Sequence, residues 1–125
     1  MRNHTMKIYL PMLCSLFMTG CATQPMYQWG GYDAMLYQSY KNPEKTLEFR
    51  QGLEKHIAKM DESKQKAAPG LYAELGTLYL QSGDSTKAIA MYTKEKDAWP
   101  ESKRLMDSLI NNVGKRIGPK VEVKS

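Results

Sequence analysis

A small all-α domain is what this 125-residue sequence predicts, and three observations carry that expectation. From Tyr32 onward apolar residues recur at intervals of three and four, the period of helices buried along one side. No run alternates with period two, so the strand signal is missing. Within 32–114 the prolines, Pro43, Pro69 and Pro100, fall between periodic stretches, where a residue without an N–H does least harm.

About five helices follow in order. The first covers Tyr32 to Lys41, with Tyr32, Leu36 and Tyr40 stacked four apart. Asn42-Pro43 breaks it and opens the second, because proline suits a first helical turn. That second helix runs from Pro43 to Ser63 and buries Phe49, Leu53, Ile57 and Met60, while its lysines and His56 lie on a polar face. Ala67-Ala68-Pro69-Gly70 is a turn. The third helix spans Leu71 to Gln81, and Gly83 supplies the left-handed residue after it. Asp84 or Ser85 caps the fourth, which runs to Ala98 and carries exposed charges such as Lys94. Pro100 ends it. Glu101 to Gly114 forms the fifth, with Leu105, Leu109 and Val113 inward, and a loose basic tail occupies 115–125.

The N-terminus reads differently. Arg2 and Lys7 precede an apolar run from Ile8 to Phe17, too short for a bilayer span of about 20 residues. Its length and flanks are those of a secretory signal. The run ends in Met18-Thr19-Gly20-Cys21, which resembles a bacterial lipobox. That resemblance implies cleavage before Cys21 and transfer of a diacylglycerol to its thiol, with methionine where leucine is usual. Ala22, rather than aspartate, follows the cysteine, which implies delivery to the outer membrane and a periplasmic domain. Residues 1–20 are then the signal, 21–31 the lipidated tether, 32–114 the helical domain and 115–125 the tail.

Removing the signal changes the composition. It takes two of the 18 basic residues and none of the 13 acidic ones, so the formal charge falls from +5 to +3. A mild, unclustered excess is no nucleic-acid footprint. Cys14 leaves with the signal, Cys21 is consumed by lipid, and His56 is the one histidine left. Carboxylates are scattered among lysines without metal-ligand spacing, and no Gly-rich phosphate loop follows a strand. The expectation is a chain without metal, cofactor or catalytic residues, contacting the membrane through its lipid.

The third and fourth helices resemble a tetratricopeptide repeat. Tyr72, Leu75-Gly76, Tyr79, Gly83, Ala88, Tyr92 and Pro100 match that pattern at eight positions, within a period of about 34 residues. Gly76 and Ala88 are small where the paired helices approach, Tyr79 and Tyr92 fill the space between, and Pro100 stops the second helix. Glu95 replaces the usual alanine, which implies looser packing onto the following helix. The first two helices read as a degenerate partner pair and the fifth as a cap, since such pairs need stacked neighbours. Tetratricopeptide domains bind peptides along the first helix of each repeat, which here implies Glu74, Thr77 and Gln81, with no lysine–asparagine clamp for a terminal carboxylate.

Tyr27-Gln28-Trp29-Gly30-Gly31-Tyr32, the Leu75-Gly76 repeat and Trp99-Pro100-Glu101-Ser102 together are similar to a family of small bacterial outer-membrane lipoproteins whose shared domain has no assigned function. Members are often encoded beside a lipoprotein resembling the curli-secretion channel, which implies an envelope partner of that kind. The aromatic entrance with Trp29 and Tyr32 reads either as a recognition surface or as the cover of the first helix pair. Three functions fit: a non-catalytic adaptor, which is favoured, a structural subunit of an outer-membrane complex, and a cell-envelope enzyme. Lipidation has a direct check. Cys21→Ala should abolish labelling by a fatty-acid analogue and leave a precursor, whereas Cys14→Ala should label normally. Normal labelling of the Cys21 variant would remove the anchor.

Overall fold

The computed structural model describes residues 26–118, which form five α-helices and no strand. They are α1 (Tyr32–Lys41), α2 (Thr46–Glu62), α3 (Leu71–Gln81), α4 (Ser85–Ala98) and α5 (Lys103–Ile117). Pro43, expected to open the second helix, sits instead in a short 3-10 turn, Pro43–Lys45, and Pro100, expected to end the fourth, starts another, Pro100–Ser102. Consecutive helices pack on one another, most extensively α3 on α4 and α4 on α5. Cys21, the tether to Pro25 and the tail beyond Gly118 lie outside the described residues.

The α3–α4 contact follows from the small residues. A Cβ on Gly76 would stand 2.8 Å from Tyr92 Cε1 and 3.1 Å from the Ala88 carbonyl oxygen. Ala88 and Tyr92 are both buried, so glycine is what lets the two helices close. Gly83 turns the chain in the left-handed region (φ 86), and the Asp84 N–H returns to the Tyr79 carbonyl at 2.9 Å. Asp84 is the cap of α4: its carboxylate accepts the Lys87 N–H at 3.0 Å.

One apolar cluster joins the predicted α2 stripe, Phe49, Leu53, Ile57 and Met60, to Leu71, Tyr72, Leu75 and Leu78 of α3. Ala67 and Ala68 are wholly buried in it, although their segment reads as a plain turn. The second cluster joins Ala88 and Tyr92 to Met106 and Val113 of α5. Tyr79 touches both.

Five expectations need correction. Leu105 is exposed and Met106 takes its place inside. At about 100° per residue, Met106 lies within about 20° of Val113 on the helix and Leu105 about 80° away. Tyr40 is 87% exposed for the same reason, since eight residues separate it from Tyr32. The fifth helix continues to Ile117, three residues into the presumed tail. Glu95 turns to the preceding helix and not the following one: it is 2% exposed and sits in the α3–α4 junction. Lys94 is also more than an exposed charge, because its Nζ meets Asp61 of α2 at 2.8 Å and lies over the Tyr72 ring.

Stability should therefore answer to Gly76 and Ala88. Gly76→Ala and Ala88→Leu should each cost about 1–3 kcal/mol by overpacking, while exposed Lys55→Ala stays within about 0.5 kcal/mol. Urea unfolding of the three variants checks this, and equal midpoints would mean that the two helices do not approach here.

Candidate functional site

The entrance folds back along the outside of α2 and reaches the end of α4. Tyr27 meets Trp99 edge-to-face, with ring centroids 5.5 Å apart. The Gln28 side chain donates to Gln65 at 3.1 Å, and the Gln28 carbonyl lies 2.9 Å from His56 Nε2. Gly30 follows against the His56 ring, leaving no room for a Cβ. His56 is thus half-buried beneath the entrance rather than solvated on a polar face. Trp29 leans on Tyr32 at 6.0 Å and Tyr32 on Phe49 at 5.8 Å. Trp29 remains 39% exposed, so the entrance is part cover and part surface.

The implied α3 residues do not share one surface. Glu74 is half-buried near Tyr32, and burial raises its pKa. The Tyr32 hydroxyl is raised too, first by burial and then by the charges of Glu74 and Asp33. Thr77 turns inward: its Oγ1 donates to the Ala73 carbonyl at 3.0 Å and lies 3.2 Å from the Tyr92 hydroxyl. Gln81 is exposed at the mouth of a different hollow.

That hollow, about 190 Å³, lies between α2 and α3 and is lined by Thr46, Leu47, Arg50, Leu78, Gln81 and Ser82. Arg50 is fixed at its edge by three neighbours. Its Nη1 donates to Ser82 Oγ at 2.8 Å, its Nε faces Glu54 Oε1 at 3.4 Å, and its guanidinium lies 5.5 Å over the Tyr79 ring. Burial and the Glu54 carboxylate push the Tyr79 hydroxyl up to about 12, with Arg50 opposing. Tyr79 therefore stays neutral. Leu47, one turn before, is 52% exposed beside this ordered cation. Arg50 was not singled out in the sequence because it follows Phe49 directly and reads as an ordinary helix-face charge.

The other site missed in the sequence is Glu95. The Gly70 N–H donates to its Oε1 at 2.8 Å, so the carboxylate caps the start of α3 from α4. Its Oε2 is buried without a hydrogen-bond partner. Burial raises its pKa, and the amides of Gly70, Ala73 and Tyr72 offset part of the rise. The departure from the repeat pattern is the available signal: the larger residue reaches the N-terminus of α3.

Among the described residues no group of His, Cys, Asp or Glu is placed to hold a metal ion, and no helix is long and apolar enough to cross a membrane. Fold and surface together define an all-helical domain with an aromatic entrance and a cation-edged groove. A family model matches residues 26–109, nearly all of that domain, and the chain belongs to this family, described as a domain of unknown function (DUF4810). No curated protein and no solved structure matches the chain.

The raised Glu95 pKa has a sign that can be checked. A carboxyl raised in the folded state favours folding most when protonated, below the unfolded value near 4.3, and that contribution is lost as pH rises through the folded value. Wild type should therefore gain on Glu95→Gln as pH falls from 7 to 4, because glutamine lacks this proton-linked term. Melting temperatures of the pair across that range test it, and a constant gap would contradict the assignment.

Proposed function

We propose that this chain is a non-catalytic adaptor, held by a lipid on Cys21 at the periplasmic face of the outer membrane. The lipobox resemblance supports the anchor. The close Gly76–Ala88 approach, with Gly83 and Tyr92 at their repeat positions, supports reading α3 and α4 as a tetratricopeptide-like pair, a scaffold that commonly presents grooves to other proteins.

One observation carries the adaptor reading: Arg50 is held in place beside Leu47 and Leu78 at the α2–α3 groove. Arginine recurs among residues that dominate protein interfaces, and a side chain already ordered loses little entropy on binding. The guanidinium has five N–H donors; among the described residues Nη1 uses one on Ser82 and the buried Nε faces Glu54, which leaves the outer N–H groups for a partner. A partner segment with an apolar side chain for the hollow and a carboxylate for Arg50 fits this edge, with Gln81 as a further polar contact. Another envelope protein, such as a lipoprotein resembling a secretion channel, is the partner class the family resemblance supports.

The test uses the full-length chain in cells, with a photo-crosslinking residue at Leu47. A discrete crosslinked species should form, and Arg50→Ala should lower its yield about tenfold, as loss of an interface arginine does. The same crosslinker at exposed Asn111 should give none. Equal crosslinking from both positions, or a yield indifferent to Arg50→Ala, would overturn the groove as the contact site.

A further inference from the structure

The outer face of α1 has no role in the fold. None of its ten residues is buried, and Tyr37 and Tyr40 are 56% and 87% exposed. With Asp33, Leu36 and Lys41 these tyrosines line an apolar hollow of about 470 Å³, larger than the groove beside Arg50. Lys41 Nζ stands 4.9 Å over the Tyr37 ring. Met26, the first described residue, is 85% exposed.

We infer that this face of α1 lies on the phospholipid surface, so that the domain rests on the membrane in one orientation instead of hanging free from its tether. The inference depends on the proposed lipid at Cys21. Five residue steps separate Cys21 from Met26, so even an extended tether reaches only about 17 Å. The chain then enters α1 within six residues, and α1 itself is about 15 Å long. The most exposed aromatic helix is thus the one nearest the anchor.

The chemistry of the face suits lipid headgroups. Tyrosine prefers the interface, where its ring sits among acyl carbonyls and its hydroxyl meets water. Lys41 can lay its methylenes on the apolar layer and keep its ammonium at the phosphates. Asp33 at the other end balances Lys41, so attraction to anionic lipid is weak and zwitterionic phosphatidylethanolamine is the fitting surface. Two exposed tyrosines bind a bilayer poorly on their own. The anchor supplies the high local concentration that makes a weak contact persistent.

Site-directed spin labelling of the mature lipidated chain tests the contact. With Cys14 gone and the Cys21 thiol acylated, Tyr40→Cys or Asn111→Cys gives a single reactive thiol. The protein is reconstituted in vesicles of phosphatidylethanolamine with a minor share of phosphatidylglycerol. A label at 40 should show an oxygen-to-nickel-reagent accessibility ratio at least about threefold that at 111, as for a residue at acyl depth. Tyr37→Ser with Lys41→Ser, both at exposed positions, should bring the two ratios together, while circular dichroism stays unchanged. Equal ratios on protein that floats with the vesicles would overturn the docked face and leave the anchor standing. Failure to float would instead remove the anchor itself. Protection at 40 that persists in lipid-free detergent and grows with protein concentration would overturn the lipid contact in favour of a second copy of the chain.

Discussion

The absence of a methyl group at position 76 is what allows the rest of the domain to assemble. Because glycine stands there, the Tyr92 ring and the Ala88 carbonyl come closer to α3 than any side chain would permit. That approach sets the α3–α4 pair, and the pair has two outer sides. Leu71, Leu75 and Leu78 cover α2 on one, while Ala88 and Tyr92 meet Met106 and Val113 on the other. Each apolar cluster is small. Their common wall is the same two helices, so a change in helix spacing reaches both.

Polar contacts then fix what apolar packing leaves loose. Glu95 ties the start of α3 to α4, and Lys94 joins α4 to Asp61 of α2. Lys96 and Lys103 converge on Asp107 from α4 and α5 at 2.8 and 3.0 Å. The exposed pairs contribute modestly in water. The Glu95 contact differs in kind, since it satisfies a backbone N–H at a junction where solvent has little access.

Helix existence and the inward stripe of α2 were legible in the sequence because Phe49, Leu53, Ile57 and Met60 mix steps of four and three. Such a row returns to the same side of the helix, about 20° off after eleven residues. Rows built from fours alone were misleading. Tyr32, Leu36 and Tyr40 look aligned, as do Leu105, Leu109 and Val113, but each step drifts about 40° and the far residue leaves the core. Contacts between distant segments were hidden for another reason. The reach of His56 to Gln28, of Arg50 to Ser82 and of Glu95 to Gly70 spans 28, 32 and 25 residues, and nothing in local periodicity reports such meetings. For the candidate site, Gln81 was visible through repeat position, whereas Arg50 became significant only when Ser82 and Tyr79 were found around it.

The route of the entrance has a mechanical consequence. Tyr27 contacts Trp99 at the end of α4, and His56 with Gln28 and Gly30 holds the next residues to α2. If Cys21 is the attachment point proposed above, a pull from the membrane meets these contacts before it meets α1. Tension would be delivered to the middle of α2 and the far end of α4, where several contacts share it at once, instead of unzipping the first helix turn by turn. The least buried helix of the domain would thereby be shielded from strain by the six residues in front of it, and its outer surface would stay available while the chain is under load.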